Sequence, residues 1–135
     1  MPGSFFDSNV LLYLASGDVA KANLAEAAVA DGGTITVQVL NEVANVGRRK
    51  MQLSWAETHA LLNTLRRLLA VHPLTLETHL LGLDLAERFG LSTYDAMIAA
   101  AAQLAGCDRL LSEDMQHGMM IGGQLRIVNP FRSDA

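Results

Sequence analysis

One cysteine, three prolines and two lysines are among the scarcest residues of this 135-residue chain. With Cys107 alone, no intrachain disulfide can form and no cysteine-based zinc site can be built; a reducing cytoplasm suits such a chain. Long apolar runs are missing as well. The most continuous one, AMIAAAAQLAG (96–106), is too short to cross a bilayer and is closely flanked by polar residues. The opening MPGSFFDSNVLLYL has neither a basic leader nor a long enough apolar span, so neither a signal peptide nor a membrane anchor is expected. The net charge of −4 gives no general attraction to nucleic acid. His59, His72, His79 and His117 are scattered, with no pair at helical metal-binding spacing, and Ser8 and Ser112 have no neighbouring base to activate them. After Lys50 there is no further lysine, which argues against receiver-like phosphoryl acceptors and haloacid-dehalogenase-like phosphatases; the latter also need D-x-D where this chain has Asp7-Ser8-Asn9.

What is present is an alternation of short apolar runs with helical periodicity. SFFD (4–7), TITV (34–37), RLLS (109–112) and LRIVNP (125–130) read as strands, and VHPLTL (71–76) as an extended segment that Pro73 keeps from becoming helical. Helices are expected from Ser8 to near Gly17, over 19–30, from about Val37 to Lys50 with Thr36 as N-cap, and over 77–89 up to Gly90. Ser54 with Glu57 forms a capping-box pattern ahead of a stripe of Leu61, Leu62, Leu65, Leu68 and Leu69. Ser92 opens a further helix that Gly106 closes. Strands that are apolar throughout, separated by helices, predict a mostly parallel sheet of four to five strands with helices on both faces, one α/β domain over residues 1–135.

In such a sheet ligands bind at the carboxyl ends of the strands, and four acids fall there: Asp7, Glu42, Asp95 and Asp114. Each has a local explanation. Asp7 can cap the next helix, Glu42 can be a surface residue, Asp95 can be the capping-box partner of Ser92, and Asp114 can be a turn residue. Together they pose a charge problem, because clustered carboxylates repel unless a cation sits among them. No lysine or arginine adjoins the first three, and Arg109 begins the strand whose far end leads to Asp114. An oxygen-only set suits Mg²⁺ or Mn²⁺ rather than zinc, and such a site serves phosphoryl transfer. Arg48, Arg49 and Lys50, which end the helix bearing Glu42, are candidates for contacting phosphates, with helix-dipole complementation as the simpler account; Arg66 and Arg67 form a second basic pair.

The segments FFDSNVLLYL (5–14), ITVQVLNEVANVGRRK (35–50), LSTYDAMIAAAAQLAGCDRLLSEDMQHG (91–118) and LRIVNPF (125–131) resemble, in order, the landmarks of a PIN-domain nuclease, most nearly the VapC-type toxins of bacterial type II toxin–antitoxin pairs. The resemblance implies a PIN-like fold and an Mg²⁺- or Mn²⁺-dependent endoribonuclease. Asp7, Glu42, Asp95 and Asp114 would be its catalytic acids, with Asp7, Asp95 and Asp114 on the metal and Ser8, Asn9, Thr93 and Ser112 as supporting polar groups. It further implies an RNA substrate such as tRNA or another structured RNA, a cognate antitoxin, a homodimer, no membrane association and a cytoplasmic location. Whether Glu113 shares the role of Asp114 stays open at this level. So does the alternative of a non-cleaving PIN-like module that binds RNA or a protein partner. The leucines at 11, 12 and 14 and those of 61–69 exceed what one small core needs, and suggest a dimer interface or antitoxin groove.

Overall fold

A computed structural model describes residues 3–132, so the first two and last three positions of the expected 1–135 domain lie outside the described residues. The order of elements is β1 (Ser4–Phe6), α1 (Ser8–Leu12) with a 3-10 turn (Tyr13–Ala15), α2 (Val19–Ala30), β2 (Thr34–Thr36), α3 (Val37–Arg49), α4 (Trp55–Leu68), β3 (Ala70–His72), α5 (Leu76–Phe89), α6 (Thr93–Leu104), β4 (Arg109–Leu111), β5 (Met120–Ile121) and β6 (Leu125–Val128). The six strands run in the order β3-β2-β1-β4-β6-β5. All adjacent pairs are parallel except β5 with β6. The strand beyond the expected four to five is β5, whose two residues fold back antiparallel on β6 at the edge.

The direction of travel through this sheet determines where a site can form. From β1 the chain steps outward to β2 and then β3; it then crosses back to β4 on the other side of β1. With right-handed crossovers, α1 to α4 cover one face and α5 and α6 the other. The strand order therefore reverses between β1 and β4, and the carboxyl ends of those two strands flank the crevice where open parallel sheets bind ligands. Register reinforces this, since Phe6 pairs with Leu111 and Asp7 N–H donates to Leu111 O at 2.9 Å.

Apolar runs became strands because both faces are covered: Phe5, Phe6, Ile35, Leu110 and Ile127 are fully buried. The alanine-rich α6 has no exposed stripe at all in its middle, with Ala96 to Ala102 buried without a break. Its small side chains let it lie between the sheet and α5, and Gly82 of α5 is the contact point. A Cβ there would stand 2.5 Å from Met97 Sδ, so the two helices meet more closely than any larger residue permits.

The helix from Ser8 stops at Leu12 and tightens into the 3-10 turn, because Tyr13 and Leu14 turn towards their own contacts rather than continuing the α ladder. Thr36 stands at the N-cap of α3 but makes no capping hydrogen bond, and its Oγ1 is buried without a partner. Of the leucines set aside for an interface, Leu11 and Leu65 are fully buried core residues and Leu69 nearly so, whereas Leu68 is exposed. An apolar cleft of about 660 Å³ lies between α2 and α4, lined by Leu14, Val29, Leu61 and Leu68 among others.

Candidate active site

The acids gather at the β1/β4 switch point. Asp7 follows β1 directly, caps α1 by accepting from Ser8 N–H at 2.8 Å, and is only 7% exposed. Ser112, fully buried after β4, donates its hydroxyl to Asp7 Oδ2 at 2.9 Å and accepts from Met115 N–H at 3.3 Å. Asn9, in the first turn of α1, joins the two strand ends. Its Nδ2 lies 3.3 Å from Asp7 Oδ2, 3.3 Å from Ser112 Oγ and 3.2 Å from Asp114 Oδ2, while its Oδ1 accepts from Glu113 N–H at 3.0 Å. One amide thus fixes the first acid, the fourth acid and the loop between them.

The other two acids are tied to Asp7 by charge. Burial pushes the Asp7 carboxyl above its ordinary pKa; the Ser112 and Ser8 hydrogen bonds oppose the shift, and the negative charges of Asp95 and Asp114 add to it. Burial also raises Glu42, with Asp7 as the next cause, the Ser8 and Gln38 side chains pulling the other way, and Asp95 contributing again. Neither Glu42 Oε1 nor Gln38 Nε2 completes a hydrogen bond, although both atoms are buried. Asp95 reaches the cluster from the first turn of α6. Because α6 precedes a parallel strand, its N-terminus lies on the same carboxyl rim. Ser92 Oγ caps this helix by accepting from Asp95 N–H at 3.3 Å, and the Asp95 carboxylate makes no return bond to Ser92.

No cation is among the groups that act on Asp7 or Glu42. The nearby ammonium, Lys21, is engaged elsewhere: it pairs with Glu113 Oε2 at 2.5 Å and donates to Tyr13 Oη at 3.2 Å, and Tyr13 Oη donates to Glu113 Oε1 at 2.6 Å. Lys21 also lies 4.9 Å from the centre of the Tyr13 ring and 5.4 Å from that of Phe131, and the two rings pack edge to face. Lys21 and Tyr13 hold Glu113 below its ordinary pKa against the opposing effect of burial, and Glu113 and Tyr13 raise that of Lys21. Glu113 is therefore a neutralised partner on the far side of its loop, and Asp114 alone faces Asp7. Sequence reasoning missed this cluster; the one available signal was the scarcity of lysine.

Among the supporting residues, Ser8, Asn9 and Ser112 are in place, whereas Thr93 is exposed on the rim with no hydrogen bond to any of the four acids. The basic trio divides. Arg48 donates to Leu53 O at 2.6 Å and stacks 4.3 Å from the centre of the Trp55 ring, while Arg49 and Lys50 are exposed. They lie about two helical turns beyond Glu42 along α3, roughly 10 Å at 1.5 Å per residue. His117 accepts from Asn129 N–H through Nδ1 at 2.9 Å, which makes it a loop fastener.

An oxygen-seeking divalent ion fits this donor set in kind. The ligands are all carboxylate or hydroxyl oxygens, Glu42 Oε1 has no partner, and the charges of Asp95 and Asp114 both press on Asp7. Among the described residues, no three His, Cys, Asp or Glu side chains are drawn closely enough together to grip an ion as they stand.

The PIN domain pattern matches residues 4–117, which covers every acid of the site, and the chain belongs to the PIN-domain family. Among solved structures it is similar in fold to three bacterial proteins. A toxin–antitoxin complex from Klebsiella pneumoniae has TM-score 0.72 and 23% identity, covering 95% of this chain and 98% of that one. VapC20 of Mycobacterium tuberculosis, described as a toxin cleaving the sarcin–ricin loop, has TM-score 0.67 and 18% identity, covering 83% and 90%. VapBC2 of Rickettsia felis, bound to a fragment of promoter DNA, has TM-score 0.64 and 17% identity, covering 93% and 98%. No curated relative matches by sequence. Among the described residues no helix is long and apolar enough to cross a membrane.

Proposed function

We propose that the chain is a divalent-metal-dependent endoribonuclease and the toxin of a toxin–antitoxin pair. The observation that carries this reading is the charge imbalance at the switch point: Asp95 and Asp114 act on Asp7, Asp7 and Asp95 act on Glu42, and the Lys21 ammonium is committed to Glu113. An arrangement that destabilises its own apo form gains most from a cation. Asp7, Asp95 and Asp114 would hold Mg²⁺ or Mn²⁺, directly or through water. When bound, the ion supplies an activated water and stabilises the charge that develops on the phosphodiester oxygens.

The chain's own residues do the positioning. Ser112 and Asn9 fix the rotamer of Asp7, and Asn9 keeps Asp114 within reach of it. Glu42, half-buried with a raised pKa and beside the Ser8 and Gln38 side chains, would accept a hydrogen bond from the attacking water. Arg49 and Lys50 offer exposed charge for the RNA backbone, outside the acidic crevice that would repel it. Similarity to toxin–antitoxin assemblies supports a cognate antitoxin as partner, and the α2/α4 cleft is the apolar groove available to it. For a homodimer, Leu76, Leu80 and Leu83 of α5 form an exposed stripe with the four-then-three spacing of a helix–helix seam.

The test is incubation of purified protein with structured RNA, with Mg²⁺ or with chelator, beside an Asp95→Asn variant. The nuclease reading expects cleavage by the native chain with metal only; equal cleavage by both proteins removes Asp95 from the site. RNA binding without any cleavage would favour the non-cleaving module.

A further inference from the structure

Beside the acids lies a second cleft of about 550 Å³ that the mechanism above does not use, lined by Gln38, Leu74, His79, Thr93, Tyr94 and Met97 among others. Its walls come from the first turns of α3 and α6 and from the start of α5. The chain ties it to the active site at two points: Tyr94 immediately precedes Asp95, and Gln38 lies one helical turn before Glu42 on α3. Anything seated in the cleft is therefore held at a fixed offset from the acids.

The lining selects for one kind of group. No Asp, Glu, Lys or Arg lines the cleft, so neither a phosphate nor an ammonium finds a counter-charge there. Leu74 and Tyr94 present broad apolar surface, 52% and 73% exposed, above a floor made by Met97. Met97 occupies the space that a side chain at Gly82 would need. At the inner end stands the Gln38 amide, whose nitrogen completes no full hydrogen bond although its side chain lies close enough to Glu42 to act on that carboxyl. A flat apolar surface, an exposed aromatic ring and an amide with both a donor and an acceptor are the features by which proteins hold an unstacked base.

We infer that this cleft takes the nucleobase next to the scissile phosphate, with Tyr94 as its stacking surface and Gln38 as its hydrogen-bonding group. The inference rests on the RNA-cleaving reading and adds to it a determinant of cut-site choice. The competing occupant is a second copy of the chain, since the exposed leucines of α5 begin at the same corner.

The experiment uses the whole chain and fluorescein-labelled single-stranded RNA octamers of each base, with binding measured in Ca²⁺, cut sites mapped on a mixed-sequence RNA in Mg²⁺, and oligomeric state followed by sedimentation. Tyr94→Ala should weaken octamer binding about tenfold while Tyr94→Phe binds like the native chain, as loss of one base stack requires. Gln38→Leu should flatten the base preference at the cut site. Octamer affinity within twofold of native in Tyr94→Ala, with an unchanged cut-site distribution, overturns the inference. So does a Tyr94→Ala chain that loses its dimer but keeps its RNA affinity, which would give the cleft to a second copy. Native chain that binds octamers but cuts no RNA counts against the nuclease reading alone, and the binding comparison still decides the cleft. Native chain that binds no octamer overturns the cleft assignment.

Discussion

Two helices of this protein begin with the same local pattern, a serine followed three residues later by an acid: Ser54-Trp55-Ala56-Glu57 at α4 and Ser92-Thr93-Tyr94-Asp95 at α6. At α4 the pattern closes on itself. Ser54 Oγ accepts from Glu57 N–H at 3.0 Å, and Glu57 Oε1 accepts from Ser54 N–H at 2.8 Å. At α6 only the first half forms, at 3.3 Å, and the Asp95 carboxylate is left over. The side chain one methylene shorter does not return to the cap, and its charge acts instead on Asp7 and Glu42. A capping signature in sequence thus predicts the helix start in both places and the fate of the carboxylate in only one. The surroundings decide the rest: α4 opens into solvent, whereas α6 opens onto the switch point.

The strongest way to sharpen this contrast is to neutralise each acid. Asp95→Asn keeps the shape and the Ser92 cap, and should lower RNA hydrolysis roughly a thousandfold, as removal of a metal-holding group does. Glu57→Gln should leave hydrolysis as it was. A single-turnover assay of both variants reads the difference. Comparable losses in the two would mean that the contrast is one of stability alone.

A second pair of acids differs in the same way with no atoms of sequence between them. Glu113 and Asp114 are consecutive, yet the first is neutralised by Lys21 and the second faces Asp7 through Asn9. Lys21→Met should release Glu113 towards the crevice and displace the loop, lowering hydrolysis on the order of tenfold. Adding Glu113→Gln to that variant should recover part of the loss. If the double variant is as poor as the single one, Lys21 acts by holding α2 in place and not by removing a charge, and a double-mutant cycle separates the two.

Acid titration should divide the carboxylates by sign. Asp7 and Glu42 have folded pKa values raised above their ordinary 3.8 and 4.5. The folded state therefore binds their protons more readily. In chelator, their contribution to stability improves as pH falls through the raised values and is complete once the ordinary values are passed. Glu57 is lowered from 4.5 by its bonds to Ser54, so its stabilisation is present above 4.5 and is lost as pH falls through the lower folded value. Urea midpoints between pH 7 and 3 should thus lose an acid-side gain in Asp7→Asn and an acid-side loss in Glu57→Gln, each relative to native. Parallel curves for all three proteins would contradict both assignments.

Much of this was legible in the chain. Apolar strands, helix caps and closing glycines placed the parallel sheet and nearly every helix, because those signals are local. The four acids stood out by their order, and the crossing back from β3 to β4 explains why they meet. What stayed hidden was non-local. Lys21 finds Glu113 across 92 positions, and nothing near either residue announces the pair. The two-residue β5 is too short to carry a pattern and exists because β6 offers it an edge. The stop of α1 at Leu12 depends on where the Tyr13 ring packs, against Phe131 near the other end of the chain.

The smallest expected effect is also the one that isolates capping from chemistry. Ser54→Ala removes the acceptor for Glu57 N–H and should cost about 1 kcal/mol, the usual price of an N-cap. Ser92→Ala removes the same acceptor at α6, but the longer 3.3 Å bond and the missing return half make the stability loss smaller. Its effect on hydrolysis should run the other way, because the cap is what orients the first turn that carries Asp95. Thermal unfolding and cleavage measured on the two variants should therefore rank them in opposite orders. The same ranking in both measurements would mean that Asp95 is positioned by the buried body of α6, from Ala96 to Ala102, and owes nothing to the serine before it.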